Sequence, residues 1–211
     1  MQDIKEKLDA ALRVRDEVGE KITLVLEDGE LCEIYYDLRE VPQEWHFPLW
    51  EIYNEVMDID TIQDQRCYSQ QTFMEALLDP DYLKVVLILG RSPAGLGLGT
   101  NNLEKARIAY INPDFLKRRY PEYARKDKIF YLTCGCFGSE AQHRGVLPYF
   151  MLAAAQSIYV YYDVAVADVS PSTSFMKDAM KYYLNLIGAP IVKEEILGQQ
   201  TYFSYIIREP S

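Results

Sequence analysis

Residues 128–162 constrain the fold more than any other part of the chain, because they predict a strand, a tight turn and a long apolar helix. The turn contains His143-Arg144-Gly145, and Pro148 stands in the first turn of the helix. A helix N-terminus carries unpaired backbone N–H groups and a partial positive charge, so it binds phosphate readily. Arg144 would add a cation, and Gly145 would let a ligand approach the backbone closely. The segment therefore predicts an anion site; the alternative is a buried strand-to-helix connection with one surface arginine.

The overall charge limits the class of ligand. The chain has 211 residues and a formal net charge of -10. An acidic surface repels phosphate backbones, so we expect no nucleic acid as the main ligand, whereas small cationic substrates or basic partners fit the field better. No apolar run approaches the length of a membrane span, and the N-terminal stretch is too charged for a secretory signal. We therefore expect a cytoplasmic protein with no membrane association.

The four cysteines predict no metal site. They stand at Cys32, Cys67, Cys134 and Cys136, and the last two lack the spacing and the second pair that a zinc site needs. Alternation along a strand puts Cys134 and Cys136 on one face. Buried, reduced thiols are the prediction.

Hydrophobic periodicity and turn residues predict the remaining elements. In chain order the first half contains an N-terminal helix within 1–20 (periodic over 2–15), a hairpin of 21–26 and 31–36 around Asp28-Gly29, a helix opened by Pro48, a short helix capped by Ser69, and a hairpin of 84–89 with the glycine-bearing strand 95–99. The second half contains a helix opened by Asn112-Pro113 in an inserted segment of about 106–127, a strand at 129–137, the turn and long helix described above, a strand at 164–169, a helix from Ser170 to Gly188, and strands at 191–196 and 201–208. One domain over 1–211 is the simplest account. The predicted fold class is α/β of the α+β type, with a mixed, mainly antiparallel sheet flanked by helices.

This order of elements, together with the His-Arg-Gly turn, resembles the GNAT superfamily of acyltransferases from about Lys21 onward. In that family the loop after the fourth strand wraps the pyrophosphate of acyl-CoA. The resemblance implies acetyl-CoA or a longer acyl-CoA as co-substrate, with no metal. The residues that it implies for donor binding are Gln142, His143, Arg144, Gly145, Val146 and Leu147, with the amides near Val146 and Leu147 as phosphate donors.

Two features depart from the usual family pattern. Leu147 and Tyr149 stand where the family has small residues, and Pro148 removes one amide from the first helical turn. The segment of about 106–127 is longer than the usual connection between the third and fourth strands. Both features look more like the branch with autoinducer synthases and N-acyl amino acid synthases, which implies an acyl carrier protein as a second possible donor.

Acyl transfer to an amine requires a base for the amine, a donor for the developing oxyanion and an acid for the departing thiolate. The family often uses a tyrosine four residues before the glycine that ends its last helix; that position is Leu184 here, and the candidate is Tyr183. A core role for Tyr183 is the alternative, since it lies on the apolar stripe of its helix. Candidate bases are Asp168 and Glu140. His143 is a third choice.

The oxyanion donor is expected on a distorted part of the strand, at the backbone of Cys134-Gly135-Cys136. The function implied is transfer of an acyl group from acyl-CoA or acyl carrier protein to an amine, either a small molecule or a peptide. Two alternatives remain open. One is a non-catalytic module of the same fold that binds an acyl carrier or a protein partner, and the other is a sensor of basic ligands.

Overall fold

The strands lie side by side in the order in which they occur in the chain, in one seven-stranded sheet. The computed structural model describes residues 12–15, 20–57, 68–106, 112–167, 175–189, 191 and 193–197. The strands are β1 Leu12–Arg15, β2 Glu20–Val25, β3 Leu31–Leu38, β4 Tyr82–Leu89, β5 Ser92–Thr100, β6 Ile129–Phe137 and β7 Val164–Ala167. The helices are α1 Gln43–Val56, α2 Gln70–Leu78, α3 Pro113–Arg119, α4 Pro121–Ala124, α5 Ser139–Gln142, α6 Leu147–Tyr161 and α7 Phe175–Leu186.

The direction of pairing follows from the connections. Strands β1 to β6 pair antiparallel with their neighbours, and β6 pairs parallel with β7. A parallel pair needs a crossover that returns the chain to the same end of the sheet, and α6 is that crossover. The predicted fold class, a mixed and mainly antiparallel sheet flanked by helices, is confirmed.

The hairpin of β2 and β3 forms where the Asp-Gly pair predicts it. Gly29 has φ +85°, a left-handed conformation that glycine adopts without strain. The Leu26 N–H donates to the Glu30 carbonyl at 2.9 Å, which closes the turn.

The N-terminal helix prediction is wrong over Leu12–Arg15, because these residues form β1 and pair antiparallel with β2. Their sequence, Leu-Arg-Val-Arg, alternates apolar and charged residues with the two-residue period of a strand. Pairing with β2 therefore overrides the helical spacing. Residues 1–11 and 16–19 lie outside the described residues.

The helices α1 and α2 fit the sequence prediction in part. Helix α1 begins at Gln43 after Pro42, so Pro48 lies inside the helix and does not open it. Ser69 caps α2 as predicted: its hydroxyl accepts from the Thr72 N–H at 3.3 Å, and Thr72 Oγ1 accepts from the Ser69 N–H at 3.0 Å.

The inserted segment contains the helix predicted at Asn112. The Asn112 side chain accepts from the Asp114 N–H at 2.8 Å, and Pro113 stands in the first turn. Residues 107–111 lie outside the described residues. A single domain over 1–211 stays a prediction.

Helices cover both faces of the sheet. On one face, α6 and α7 pack over a buried cluster that includes Val85, Leu87 and Phe150. On the other face, α1 and α2 pack over a cluster that includes Cys134 and Cys136. The two thiols are buried on one face of β6 with their Sγ atoms 3.9 Å apart, as the strand alternation predicts.

The C-terminal helix α7 ends as predicted. Gly188 has φ +79°, and the Ala189 N–H donates to the Leu184 carbonyl at 2.9 Å, the hydrogen bond of a left-handed helix cap. The predicted strand at 191–196 is wrong over residues 191 and 193–196, which form neither helix nor strand. There Glu195 pairs with Arg119 of α3 at 2.6 Å instead of joining a ladder. The predicted start of α7 at Ser170 and the strand at 201–208 fall outside the described residues.

None of the helices built from described residues is both long enough and apolar enough to cross a membrane. Within those same residues, no group of three or more His, Cys, Asp or Glu side chains is arranged to hold a metal ion.

Candidate functional site

Hydrogen bonds to β5 and from a side chain of α5 hold the turn between β6 and α6. The Gly138 N–H donates to the Ala94 carbonyl at 2.9 Å, which ties the end of β6 to β5. The Gln142 side-chain amide donates to the Phe137 carbonyl at 3.1 Å, which closes the short helix α5 over the end of the strand. Gly145 then turns the chain into α6 with φ +67°, and the space beside its Cα is open. The turn is therefore a defined structure that ends in an exposed glycine.

Three consecutive backbone amides at the entrance to α6 have no acceptor in the described part of the chain: those of Gly145, Val146 and Leu147. Pro148 has no N–H, and the amides of Tyr149 and Phe150 donate to the Val146 carbonyl at 3.1 and 3.2 Å. Unpaired amides at the N-terminus of a 15-residue helix are suited to an anion. All three belong to the residues predicted to bind the acyl donor, and their backbone N–H groups are the part that could bind it.

Arg144 is surrounded by carboxylates. Its Nη2 contacts Asp28 Oδ2 and lies 2.8 Å from Glu30 Oε2, and its Nη1 lies 3.7 Å from Glu140 Oε1. The pKa of Asp28 is lowered, first by the hydrogen bond from the Glu30 N–H and then by the positive charge of Arg144. The predicted phosphate-binding cation is thus already balanced by acidic groups of the chain.

The distortion of β6 lies at Thr133, directly before the tripeptide where it was predicted. Leu98 of β5 is opposite Cys134, and Gly99 is opposite Leu132, so Thr133 is an extra residue in the strand. The Thr133 hydroxyl donates to the Leu98 carbonyl at 2.9 Å and accepts from the Tyr68 hydroxyl at 2.8 Å. The bulge is therefore anchored from two sides.

Beyond this bulge the backbone of β6 is accessible at Gly135. The parallel ladder with β7 runs from Ile129 opposite Val164 to Leu132 opposite Ala167. Three residues further, Gly135 is exposed and has open space where a side chain would stand. A ligand could therefore approach the backbone at Gly135, between the bulge and the amides of α6.

Tyr183 lies in the buried cluster that contains Val146 and Phe150 from the start of α6. Its side chain is 8% exposed, and burial raises the pKa of its hydroxyl above the usual 10. The phenol is therefore protonated at neutral pH, as a proton donor must be.

The other predicted residues are dispersed. Glu140 and Gln142 on α5 and His143 after it are exposed, and Glu140 has the ion pair with Arg144 noted above. Asp168 lies outside the described residues. No described geometry brings a candidate base to Gly135.

Sequence reasoning missed the carboxylates at Arg144 and the anchor of the bulge. Asp28 is 116 positions from Arg144, and Tyr68 is 65 positions from Thr133. The acidic hairpin tip was visible as Glu27-Asp28-Gly29-Glu30, but no local pattern shows what such a tip meets in space.

The described residues also line two cavities at the other end of the sheet. A cavity of about 400 Å³ is lined by Asp81, Asn101, Asp127 and Ile129 among others, and one of about 260 Å³ lies between Arg119 and residues 195–197. Ile129 begins β6, whereas the turn follows its last residue. Neither cavity therefore belongs to the candidate site.

No protein-family model matches the chain, and no curated protein matches it. Solved structures with similar folds include an aminoglycoside acetyltransferase from an uncultured soil metagenomic sample, in complex with sisomicin (12% identity, 84% of this chain and 97% of that chain, TM-score 0.47). Another is AAC(6')-Iy in complex with a CoA-containing bisubstrate analog (12% identity, 81% and 99%, TM-score 0.43). A third is an uncharacterised protein from Bacillus halodurans (12% identity, 79% and 80%, TM-score 0.46).

The observed order of hairpin, two helices, hairpin, inserted helices, bulged strand, turn, helix, parallel strand and helix agrees with the predicted order, except that residues 12–15 form a strand and residues 191 and 193–196 do not. The chain therefore has the mixed, mainly antiparallel sheet flanked by helices that its sequence predicts.

Proposed function

We propose that the protein is an N-acyltransferase that moves an acyl group from acyl-CoA to an amine. One observation carries the proposal: the bulge of β6 and the exposed Gly135 beyond it are followed, after α5 and its turn, by a helix entrance with three amides that have no acceptor in the described part of the chain. A thioester near Gly135 and an anionic group at Gly145 to Leu147 would then be parts of one extended donor. Electrostatic stabilisation by backbone N–H groups is a large contribution to acyl transfer, and an accessible strand backbone supports it.

Tyr183 is the proposed proton donor to the departing thiolate. Its burial beside the start of α6 and its raised pKa support this role, because a thiolate accepts a proton only from a group that still holds one. Asp168 and Glu140 remain the proposed bases for the amine. The exposure of Glu140 and its ion pair with Arg144 give it less support.

The acyl carrier protein remains a second proposed donor, and the acceptor is an amine on a small molecule or a peptide. We propose acetyl-CoA or a longer acyl-CoA as co-substrate, without a metal. The cytoplasmic location stays a prediction.

A non-catalytic binding module is the second candidate, and the surroundings of Arg144 favour it. A guanidinium held by three carboxylates of the chain itself is poorly available to a diphosphate. Leu147 and Tyr149 also take up room at the helix entrance, where the family has small residues.

Binding and turnover measurements on the purified full chain separate the two. Isothermal titration with acetyl-CoA and with a long-chain acyl-CoA should give a saturable heat with at least one donor. Release of the CoA thiol, followed by a thiol reagent across a panel of amines and peptides, should then exceed the rate without acceptor. Binding without thiol release would support the module, and no heat with either donor would contradict acyl-CoA as the substrate.

A further inference from the structure

The tip of the β2–β3 hairpin has a fixed structure that faces the turn before α6. The Gly29 N–H donates to the Leu26 carbonyl at 2.9 Å, and the Glu30 N–H donates to Asp28 Oδ1 at 3.1 Å. Asp28 therefore uses one carboxylate oxygen to hold the turn and presents the other to Arg144.

Glu30 is packed rather than free. A Cβ atom placed on Gly90 would be only 2.8 Å from Glu30 Oε1, so this carboxylate rests against the turn between β4 and β5. Its Oε2 is buried and lies 2.8 Å from Arg144 Nη2, but in a geometry that gives it no hydrogen bond. The contact is an ion pair but not a hydrogen bond, so this buried carboxylate oxygen has no hydrogen-bond donor in the described part of the chain.

Charge at the entrance to α6 opposes an anion. Asp28, Glu30 and Glu140 contribute three negative charges around the single positive charge of Arg144. A diphosphate seated on the amides of Gly145 to Leu147 would face this excess of negative charge. Its attraction to Arg144 would be available only if the hairpin carboxylates gave up their contacts.

We propose that the tip of the β2–β3 hairpin is an autoinhibitory contact, in which Asp28 and Glu30 occupy Arg144 and compete with the anionic part of the acyl donor for it. The inference rests on the proposed donor site and adds a regulatory element to it. Donor binding and closure of the hairpin on Arg144 then oppose each other by the same factor in both directions.

Single-charge variants test the competition. Asp28→Asn keeps an oxygen that accepts the Glu30 N–H, and Glu30→Gln keeps the shape that rests against Gly90. Glu27→Gln is the matched control, since Glu27 is an exposed acid in the same turn with no ion pair in the described part of the chain. The probe is CoA, titrated calorimetrically into the full chain, with circular dichroism to verify folding.

We expect Asp28→Asn and Glu30→Gln together to tighten CoA binding about three- to tenfold, in line with the strength of half-exposed ion pairs. The control should change it less than twofold. In an Arg144→Gln background the gain should disappear, because the carboxylates then have no cation to withhold. CoA binding seen only after the carboxylates are neutralised would support the inference in its strongest form.

Equal CoA affinity in wild type, Asp28→Asn and Glu30→Gln would overturn the autoinhibitory contact and leave the donor site standing. A gain that persists without Arg144 would also overturn it, because it would reflect general charge repulsion. No CoA binding in any of the variants or in wild type would reject the donor site itself, and the inference with it.

Discussion

Tyr68 donates its hydroxyl hydrogen to Thr133 Oγ1 at 2.8 Å, and so connects the chain just before the cap of α2 with the bulge in β6. The Thr133 hydroxyl in turn donates to the Leu98 carbonyl of β5 at 2.9 Å. The position of the bulge therefore depends on a side chain from outside the sheet. This pair of hydroxyls anchors the backbone of β6 at the point where it leaves its regular ladder.

Replacement of Tyr68 by Phe should destabilise the protein by about 1 kcal/mol, because it leaves the Thr133 hydroxyl without its donor. Urea unfolding measures the change, and Tyr123→Phe on the exposed α4 is the control. A double-mutant cycle with Thr133→Val should give a coupling energy of about 0.5–1 kcal/mol. Fully additive effects would mean that the two hydroxyls do not act together.

Reversal of charge at Arg144 should weaken CoA binding about tenfold or more, because Arg144→Glu places another negative charge beside the helix entrance. Arg91→Glu is the matched control, since Arg91 is exposed in the turn between β4 and β5 and no ion pair of it is described. Calorimetric titration of both variants separates a local effect from the change in net charge. Equal affinities in the two would place the donor elsewhere.

Tyr183→Phe should lower kcat about 10²-fold, with little change in KM, if the phenol protonates the thiolate. Tyr182→Phe, on the exposed neighbour in the same helix, should leave kcat unchanged. Since burial raises the pKa of Tyr183 above 10, its protonated fraction, and with it this step, should not decline between pH 7 and pH 9. Loss of unfolding free energy without loss of kcat would assign Tyr183 to the core alone.

Lys84 should make the stability depend on pH. Its side chain is fully buried, its Nζ donates to the carbonyls of Arg39 and Asp79, and burial lowers its pKa to about 8. Between that value and the usual 10.5, the unfolded chain binds a proton that the folded chain has released, so the unfolding free energy rises with pH.

The measurement compares wild type with Lys84→Met by urea unfolding at pH 7.5 and 9.5. The difference in unfolding free energy between them should shift in favour of wild type by about 1–2 kcal/mol across this interval. A difference that stays constant with pH would show that Lys84 has its ordinary pKa in the folded state.

Local patterns predicted those parts of the fold that short-range forces decide. Strand β6 has the predicted bounds, because an apolar β-rich run is enclosed by Lys128 and Gly138. Gly29 and Gly188 mark a turn and a helix end, since each adopts a positive φ that other residues avoid. These features need no knowledge of distant parts of the chain.

Features that depend on tertiary contacts were not predictable. Residues 2–15 as a whole have helical spacing in the sequence, but Leu12–Arg15 pair with β2 as a strand. Pro48 resembles a helix start but is accommodated inside α1. Two of the three carboxylates at Arg144 come from a hairpin far away in the chain, so the helix entrance could be located from the sequence, whereas its charge balance could not.

Pro148 has a consequence for the entropy of binding at the entrance to α6. Its ring holds φ near the helical value, and the two following amides are committed to the Val146 carbonyl. The amides of Gly145, Val146 and Leu147 before it thus belong to a backbone that is already ordered, and a ligand that accepts from them need not order it first. The backbone at this entrance therefore loses little conformational entropy when an anion binds to it.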